Sequence, residues 1–448
     1  MSFSAGSLRE ILETLTPPAA TGYVVAISGG GDSACLLTAL APPLATPCRG
    51  LPLRAVHVDH GLQPAAADLR RACQTLCARL GVPLTVVPVA VDAGHGASIE
   101  AAAREARYRG IAAQFAPGEC LLTAHHAEDQ AETLLLQLMR GAGLKGMSAM
   151  PASRAWAGGW HLRPLLKVAQ RDLRHFAATA GITEGIADPM NRDPRFDRVY
   201  LREEVWPRIE RRWPGAAIAL GRAARHAADA QELLDRSAAR AMRVLLDGDT
   251  LSVTGLRALA APERLNVLRH WIAARDLPLP SAARLGEAVR QIMSAQADHL
   301  PAIVWGEHAL RRYRDRVFLT AARPPRIGAA RDWALDGAAA VQLGSGLGSL
   351  HWSSRSGGLD AARLREGIVV RQRQGGESLK PQRHGRTRTL QHLCQSLGVL
   401  PWMRDALPLL YAGNALIGVG DLWQDVRWCV APEENGVACD WRNAPVLV

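Results

Sequence analysis

Four short runs rich in β-branched and apolar residues, Tyr23 to Ile27, Leu53 to Val58, Leu84 to Val89 and Cys120 to Thr123, alternate with helical stretches that begin near Ser33, Ala65, Ser98 and Ala127. A strand that returns through a helix comes back to the same end of the sheet and pairs in parallel. The alternation therefore predicts an α/β fold: a doubly wound parallel sheet with helices on both faces. Ligands of such sheets sit outside the carboxyl ends of the strands, so the residues just after each strand are the candidates for chemistry.

After the first strand stands SGGGDS: Ser28, Gly29, Gly30, Gly31, Asp32 and Ser33. Glycines let the backbone approach an anion, and the N–H groups that open the next helix can bind it. The loop lacks the Lys of a Walker A sequence and is too short for G-x-G-x-x-G, so it reads as a phosphate or pyrophosphate cradle of another kind. The second strand ends in HVDHGL, where His57, Asp59 and His60 suit an adenosine or a metal. Zinc lacks a third ligand of matching spacing; magnesium held by carboxylates and phosphates fits better. The fourth strand runs into TAHHAEDQAET, with His125, Glu128, Asp129 and Glu132 in the first turns of a helix. One carboxylate there is explained by the helix dipole, but this cluster exceeds that role. Asp129 and Glu132 are three residues apart on one face, which can hold an ammonium group and later accept its proton.

The chain has 448 residues, more than one core usually organises. The texture changes near Pro214, which predicts a sheet domain over 1–214, a mainly helical domain over 215–325, a linker mixed with short strands over 326–349, and a small α+β domain over 350–448. Lys and Arg total 53 against 42 Asp and Glu, a formal charge of +11, which favours a polyanionic partner such as nucleic acid. Between Arg363 and Arg388 seven Arg and one Lys oppose two Glu, and Lys380, Arg383, Arg386 and Arg388 are the best placed for phosphates. The eight cysteines are scattered without a C-x-x-C pair and read as reduced thiols. Leu8, Ile11, Leu12 and Leu15 form a helical stripe rather than a signal peptide's apolar run, and no segment reaches the ~18 apolar residues of a membrane span. A soluble, cytoplasmic protein with no membrane association is expected.

Taken in order, SGGGDS, HVDHGL, EAAAREARYRG (Glu100 to Gly110), TAHHAEDQAET, GAGLKGM (Gly141 to Met147) and RPLL (Arg163 to Leu166) resemble the motif series of the tRNA(Ile)-lysidine synthetases, within the PP-loop ATP pyrophosphatase superfamily. Ala187 to Ile209 and Val369 to Trp423 extend the resemblance, although Met190 and Val199 depart from the usual residues and Glu128 replaces an aspartate. The resemblance implies ATP and Mg2+ as cofactors, and as partners a tRNA(Ile) with a CAU anticodon and L-lysine; it allows a homodimer. Asp32, Asp129 and Arg107 are then catalytic, with Asp32 also the metal ligand. Ser28 to Ser33, His57 and Asp59 bind ATP, Asp129 and Glu132 bind lysine, and Asn191, Arg198, Arg202, Lys380, Arg383, Arg386 and Arg388 bind the tRNA. Two rivals remain: a PP-loop tRNA thiolation enzyme, supported only by the spacing of Cys73 and Cys77, and a non-catalytic tRNA-binding protein.

Overall fold

The structure, a computed structural model, describes residues 3–42, 44, 48–59, 66–90, 99–182, 196–295, 300–328, 330–333, 340–365 and 367–448. His60 and Asn191 lie outside the described residues. The chain divides into two compact units, Met1–Leu234 and Asp235–Val448.

The first unit opens with α1 (Ala5–Leu15), whose N-cap Ser4 exchanges hydrogen bonds with Ser7 and whose Leu8 and Leu12 are fully buried, as the apolar stripe predicts. The chain then alternates through β1 (Gly22–Ala26), α2 (Gly31–Leu40), β2 (Leu53–Asp59), α3 (Ala66–Leu80), β3 (Leu84–Pro88), α4 (Ile99–Ala112), β4 (Glu119–Leu122) and α5 (Ala127–Met139). After a single turn, α6 (Leu144–Met147), a hairpin of β5 (Ser153–Trp156) and β6 (Gly159–Leu162) leads to α7 (Gln170–Thr179). Spatial order is β3-β2-β1-β4-β6-β5, parallel except for the edge strand β5. Both faces are buried, which explains why these strands read as near-continuous apolar runs. Tyr23 and Val25 join Leu36, Leu37 and Leu76 in one core, and Val24, Val56, Val87 and Leu121 join Ile111 in the other.

The hairpin was not anticipated, because its strands, SRAW and GWHL, mix polar and apolar residues and contain no continuous apolar run. Gly159 is what lets β6 lie beside β4: a Cβ there would fall 2.2 Å from the Glu119 carbonyl oxygen. Further on, α8 (Asp197–Tyr200) passes through a π-helical turn, Leu201–Val205, into α9 (Trp206–Arg212), after which α10 (Ala216–Leu245) begins. Trp206 and Ala217 pack on Ala127 and Ala131, which seats this segment on α5.

In the second unit α11 (Val253–Ala258), α12 (Ala261–Ala273) and α13 (Ala282–Ser294) supply the predicted helices around a core of Leu268, Trp271, Leu285 and Ile292. They are joined by an unanticipated antiparallel sheet of β7 (Leu246–Asp247), β8 (Thr250–Ser252), β9 (Ala302–Trp305), β10 (His308–Tyr313) and β11 (Arg316–Ala321). The stretch read as linker contributes β12 (Arg331–Trp333) and β13 (Val341–Gly344) to the two sheets that follow. Those sheets also hold β14 (Gly348–Ser356), β15 (Ile368–Arg371), β18 (Leu409–Ala412), β19 (Ala415–Val419), β20 (Trp423–Gln424) and β21 (Asn435–Arg442). A two-stranded ribbon, β16 (Ser378–Leu379) with β17 (Arg388–Thr389), precedes α14 (Leu390–Leu397). Trp402 packs edge-on against Tyr313 and Phe318, a core role rather than a stacking platform. Among the described residues no helix is long and apolar enough to cross a membrane.

Candidate active site

In the order β3-β2-β1-β4, the direction of winding reverses between β1 and β4, and a crevice opens at their carboxyl ends. The two richest motifs, SGGGDS and TAHHAED, follow these two strands. Gly29 has φ +85°, and a Cβ there would meet the Leu69 side chain at 2.8 Å and its carbonyl oxygen at 3.0 Å. A Cβ at Gly31 meets nothing within 4 Å, so the cradle is open at the helix start. The serines shape the loop: Ser28 N–H donates to Ser33 Oγ (3.2 Å), Ser33 Oγ donates to the Gly30 carbonyl (2.9 Å), and Gly30 N–H donates to Ser28 Oγ (3.2 Å). Gly29→Ala is expected to cost about 1–3 kcal/mol in stability and to weaken ATP binding, since it combines a left-handed backbone with a clash. Thermal unfolding and nucleotide titration check both effects.

The loop forms one wall of a cavity of about 290 Å3. Asp32 and Asp129 line it from the two motifs, Arg104 and Arg107 from α4, and His57 and Asp59 from the end of β2. Val56, Val58 and Leu69 give it an apolar side suited to a purine. His57 is buried and its Nδ1 donates to the Ile27 carbonyl at 3.0 Å; burial outweighs that bond and keeps the ring's pKa low, so the imidazole is neutral. Asp59 is paired with Arg70 at 3.3 Å. These two candidates therefore line the cavity while being tied to the scaffold.

His126, which the motif reading passed over, joins the two motifs. It is the N-cap residue of α5 and is 3% exposed. Its Nδ1 lies 2.9 Å from Glu128 Oε2, and its Nε2 lies 3.6 Å from Asp32 and 3.4 Å from Asp129. Burial alone would lower its pKa, but Asp32, Glu128 and Asp129 raise it to about 10, so it is an imidazolium. Glu128 also accepts the Gln170 N–H at the start of α7 (2.9 Å), which makes it a structural residue.

His125 has the opposite character. Arg163 donates to His161 Nδ1 (3.2 Å), His161 Nε2 meets Thr123 Oγ1 (2.9 Å), and Thr123 Oγ1 meets His125 Nδ1 (2.9 Å). An arginine can only donate, so the sequence of donors is fixed from that end. Neutral His161 then carries its proton on Nε2, Thr123 donates onward, and His125 keeps its N–H on Nε2. Burial lowers the His125 pKa to about 4, aided by Arg163, Arg104 and Arg198 against the pull of Asp129. The cavity is thus lined by a neutral imidazole of defined tautomer.

Asp129 and Glu132 share a face of α5 as expected, and that face already holds cations. Arg202 meets Glu132 at 2.7 and 2.8 Å and Asp129 at 3.0 Å; Arg198 meets Glu132 at 2.9 Å and Asp129 at 3.4 Å. Asp129 also accepts the His126 N–H at 3.1 Å. Burial would raise the Asp129 pKa, but His126, Arg198 and the His126 N–H hold it below the usual carboxylate range. The two residues assigned to lysine and two of those assigned to tRNA therefore form a single cluster. Both arginines come from the α8 helix and the π-helical turn beyond it, an irregularity often found at functional sites.

For magnesium, Asp32 is half-exposed at the cradle, and no group of three ligating side chains that could hold a metal occurs among the described residues. This set fits an ion held mainly by substrate phosphates, with Asp32 as its one protein carboxylate, rather than a protein cage. Cys73 and Cys77 are buried, and burial pushes their thiols up to about 12 and about 11. Such thiols are inert, which removes the sole support for sulfur transfer.

In the second unit the loop joining β16 to β17 carries Lys380, Arg383 and Arg386, with Arg388 at its end. Lys380 N–H donates to Asp425 (3.0 Å), and Arg383 donates to the Val430 carbonyl. Arg386 and Arg388 are exposed.

A glycine cradle at the switch point, facing a carboxylate-bearing helix after β4, defines a PP-loop protein, and a model of the PP-loop domain matches residues 4–209. Models described as a TilS substrate binding domain and a TilS substrate C-terminal domain match residues 251–318 and 368–441. The tRNA(Ile)-lysidine synthase of Alkalilimnicola ehrlichii is 38% identical, covering 97% of this chain and 98% of its own length. That of Methylococcus capsulatus is also 38% identical, over 94% and 96%. The chain belongs to the tRNA(Ile)-lysidine synthase family. A solved U34-tRNA thiolase from Methanococcus maripaludis is 16% identical with a TM-score of 0.41, covering 49% of this chain and 77% of that one.

Proposed function

We propose that this protein ligates the ε-amine of L-lysine to C2 of the wobble cytidine in a tRNA(Ile) with a CAU anticodon. The observation that carries this reading is the Asp129–Glu132 face: a cation-binding pair whose Asp129 lines the same cavity as the glycine loop. In the first step the cytidine O2 attacks the α-phosphorus of ATP, an O–P bond forms, and the bond to pyrophosphate breaks. In the second, lysine Nε attacks C2 and the C2–O bond breaks, so AMP leaves with that oxygen. Adenylation is needed because a pyrimidine carbonyl has no good leaving group.

The cradle formed by Ser28, Gly29, Gly30, Gly31 and Ser33 and the guanidinium groups of Arg104 and Arg107 stabilise charge on the departing pyrophosphate. Magnesium bound through Asp32 would neutralise phosphate charge. His57 and Asp59 border the nucleoside, and the neutral Nε2–H of His125 is a donor toward phosphate or base oxygen. Asp129 and Glu132 hold the lysine ammonium; a guanidinium of Arg198 or Arg202 that turns to an RNA phosphate leaves them free to do so. The bound ammonium first gives one proton to solvent, so that the neutral Nε carries the lone pair that attacks C2, and Asp129 takes the second proton. Because its carboxylate is a weak base, transfer becomes favourable as the C–N bond forms and the attacking nitrogen grows acidic.

The same reading divides the chain into a catalytic domain over 1–214, a tRNA-contacting domain over 215–325, a linker over 326–349 and a tRNA-binding domain over 350–448. For the last of these, Arg386→Ala with Arg388→Ala is expected to weaken tRNA binding and to reduce the slope of log affinity against log salt by about 2. Unchanged affinity and slope would remove the loop from the RNA interface. For the reaction itself, pyrophosphate release is expected to require tRNA but not lysine, and AMP release to require both. Pyrophosphate release without RNA would contradict the scheme.

A further inference from the structure

Helix α5 borders two cavities. Asp129 lines the one described above, and Gln130, turned about 100° round the helix, lines a second of about 330 Å3. Both polar atoms of the Gln130 side chain are engaged: its Nε2 donates to the Met150 carbonyl (2.9 Å) and its Oε1 accepts the Met150 N–H (3.0 Å). This pins the 148–152 loop as one wall. The start of α10 forms another, with Ile218, Gly221, Arg222 and Arg225 on one helical face.

Charge and shape both select a ligand. Met150, Leu166 and Ile218 make the lining mainly apolar, yet Lys167, Arg222 and Arg225 stand exposed at its edge. Among the described residues no carboxylate pairs with any of the three. Gly221 lies inside a long helix, where glycine costs about 1 kcal/mol relative to alanine. Its φ is not positive, and a Cβ there would meet nothing within 4 Å. Neither backbone geometry nor packing requires glycine, so its effect is to keep the slot open.

We infer that this slot takes an unpaired nucleotide of the RNA substrate, next to the one that reacts, with its base against Met150, Leu166 and Ile218 and its phosphate on Arg222, Arg225 or Lys167. A planar base with an attached anion matches an apolar slot edged by cations that no described carboxylate pairs. A seat one residue away from Asp129 would fix the strand while its neighbour enters the reaction cavity. The inference rests on the proposed RNA substrate.

The test uses the full chain and a tRNA(Ile) transcript with a CAU anticodon whose uridines are replaced by 4-thiouridine, irradiated and mapped to peptides. Cross-links are expected in residues 148–152 or 218–228. Gly221→Phe, which fills the slot from an ordinary helical position, should abolish them and raise the tRNA Kd about tenfold or more, with the KM for ATP unchanged. Gly221→Ala should retain both. Should the phenylalanine variant fail to fold, Arg222→Glu with Arg225→Glu supplies the same comparison. Cross-links confined to other residues, together with wild-type affinity in the substituted proteins, would overturn the inference. Lysine incorporation followed in the same samples separates the two readings. Slot cross-links without incorporation would keep the slot and refute the ligation; incorporation without slot cross-links would do the reverse.

Discussion

Asp129→Asn is expected to lower lysine transfer by about 10²–10³-fold while leaving the fold and tRNA affinity nearly intact. The substitution keeps an oxygen that can accept the His126 N–H and cap α5, so the helix start is preserved. Arg198 and Arg202 keep Glu132 as partner. What disappears is one negative charge, and with it, in the proposed scheme, the acceptor for the amine's proton and half of the ammonium site. In the same proposed scheme adenylation does not use this carboxylate, so tRNA-dependent pyrophosphate release should persist. Wild-type lysine transfer by this variant would remove Asp129 from the mechanism.

Glu132→Ala is expected to act on stability as well. Glu132 is 1% exposed and takes three charge-assisted hydrogen bonds from the two arginines. Its loss leaves guanidinium groups facing a small buried void, with only Asp129 to balance them. Breaking a buried pair from one side costs about 3–5 kcal/mol, and the partial exposure of Arg198 and Arg202 lowers this to roughly 2–4 kcal/mol. For a unit of this size that is a fall of roughly 5–15 °C in the unfolding midpoint. Glu132→Gln, which retains the shape and one acceptor, should lose less stability. If the alanine variant melts with the wild type, the cluster is not a structural tie between α5 and the arginine-bearing segment.

The parallel strands β1 to β4 were legible because each is an apolar run bounded by a helical pattern, a signal local to the chain. The β5–β6 hairpin and the antiparallel sheet of the second unit were not, since their short strands are interrupted by polar residues such as Arg154, Arg311, Arg312 and Arg316 and form no apolar run. Asp129 and Glu132 could be placed on one face by spacing alone. Their partners could not: Arg198 and Arg202 lie 66 to 73 residues away, and their charge reveals what they bind in kind but not which anion. The Thr123–His161–Arg163 chain is likewise created by pairing β4 with β6. His126 left a trace in the His125–His126 doublet before α5, but its role depends on Asp32, which only the sheet topology brings near.

The central claim is tested most directly by incubating the purified protein with ATP, magnesium, radiolabelled lysine and an unmodified tRNA(Ile) bearing CAU, then digesting the RNA to nucleosides. Label recovered in a lysine-substituted cytidine at the wobble position is the predicted result. Absence of label from the RNA, with tRNA-dependent pyrophosphate release intact, would contradict the assignment of lysine as the nucleophile while leaving the adenylation in place.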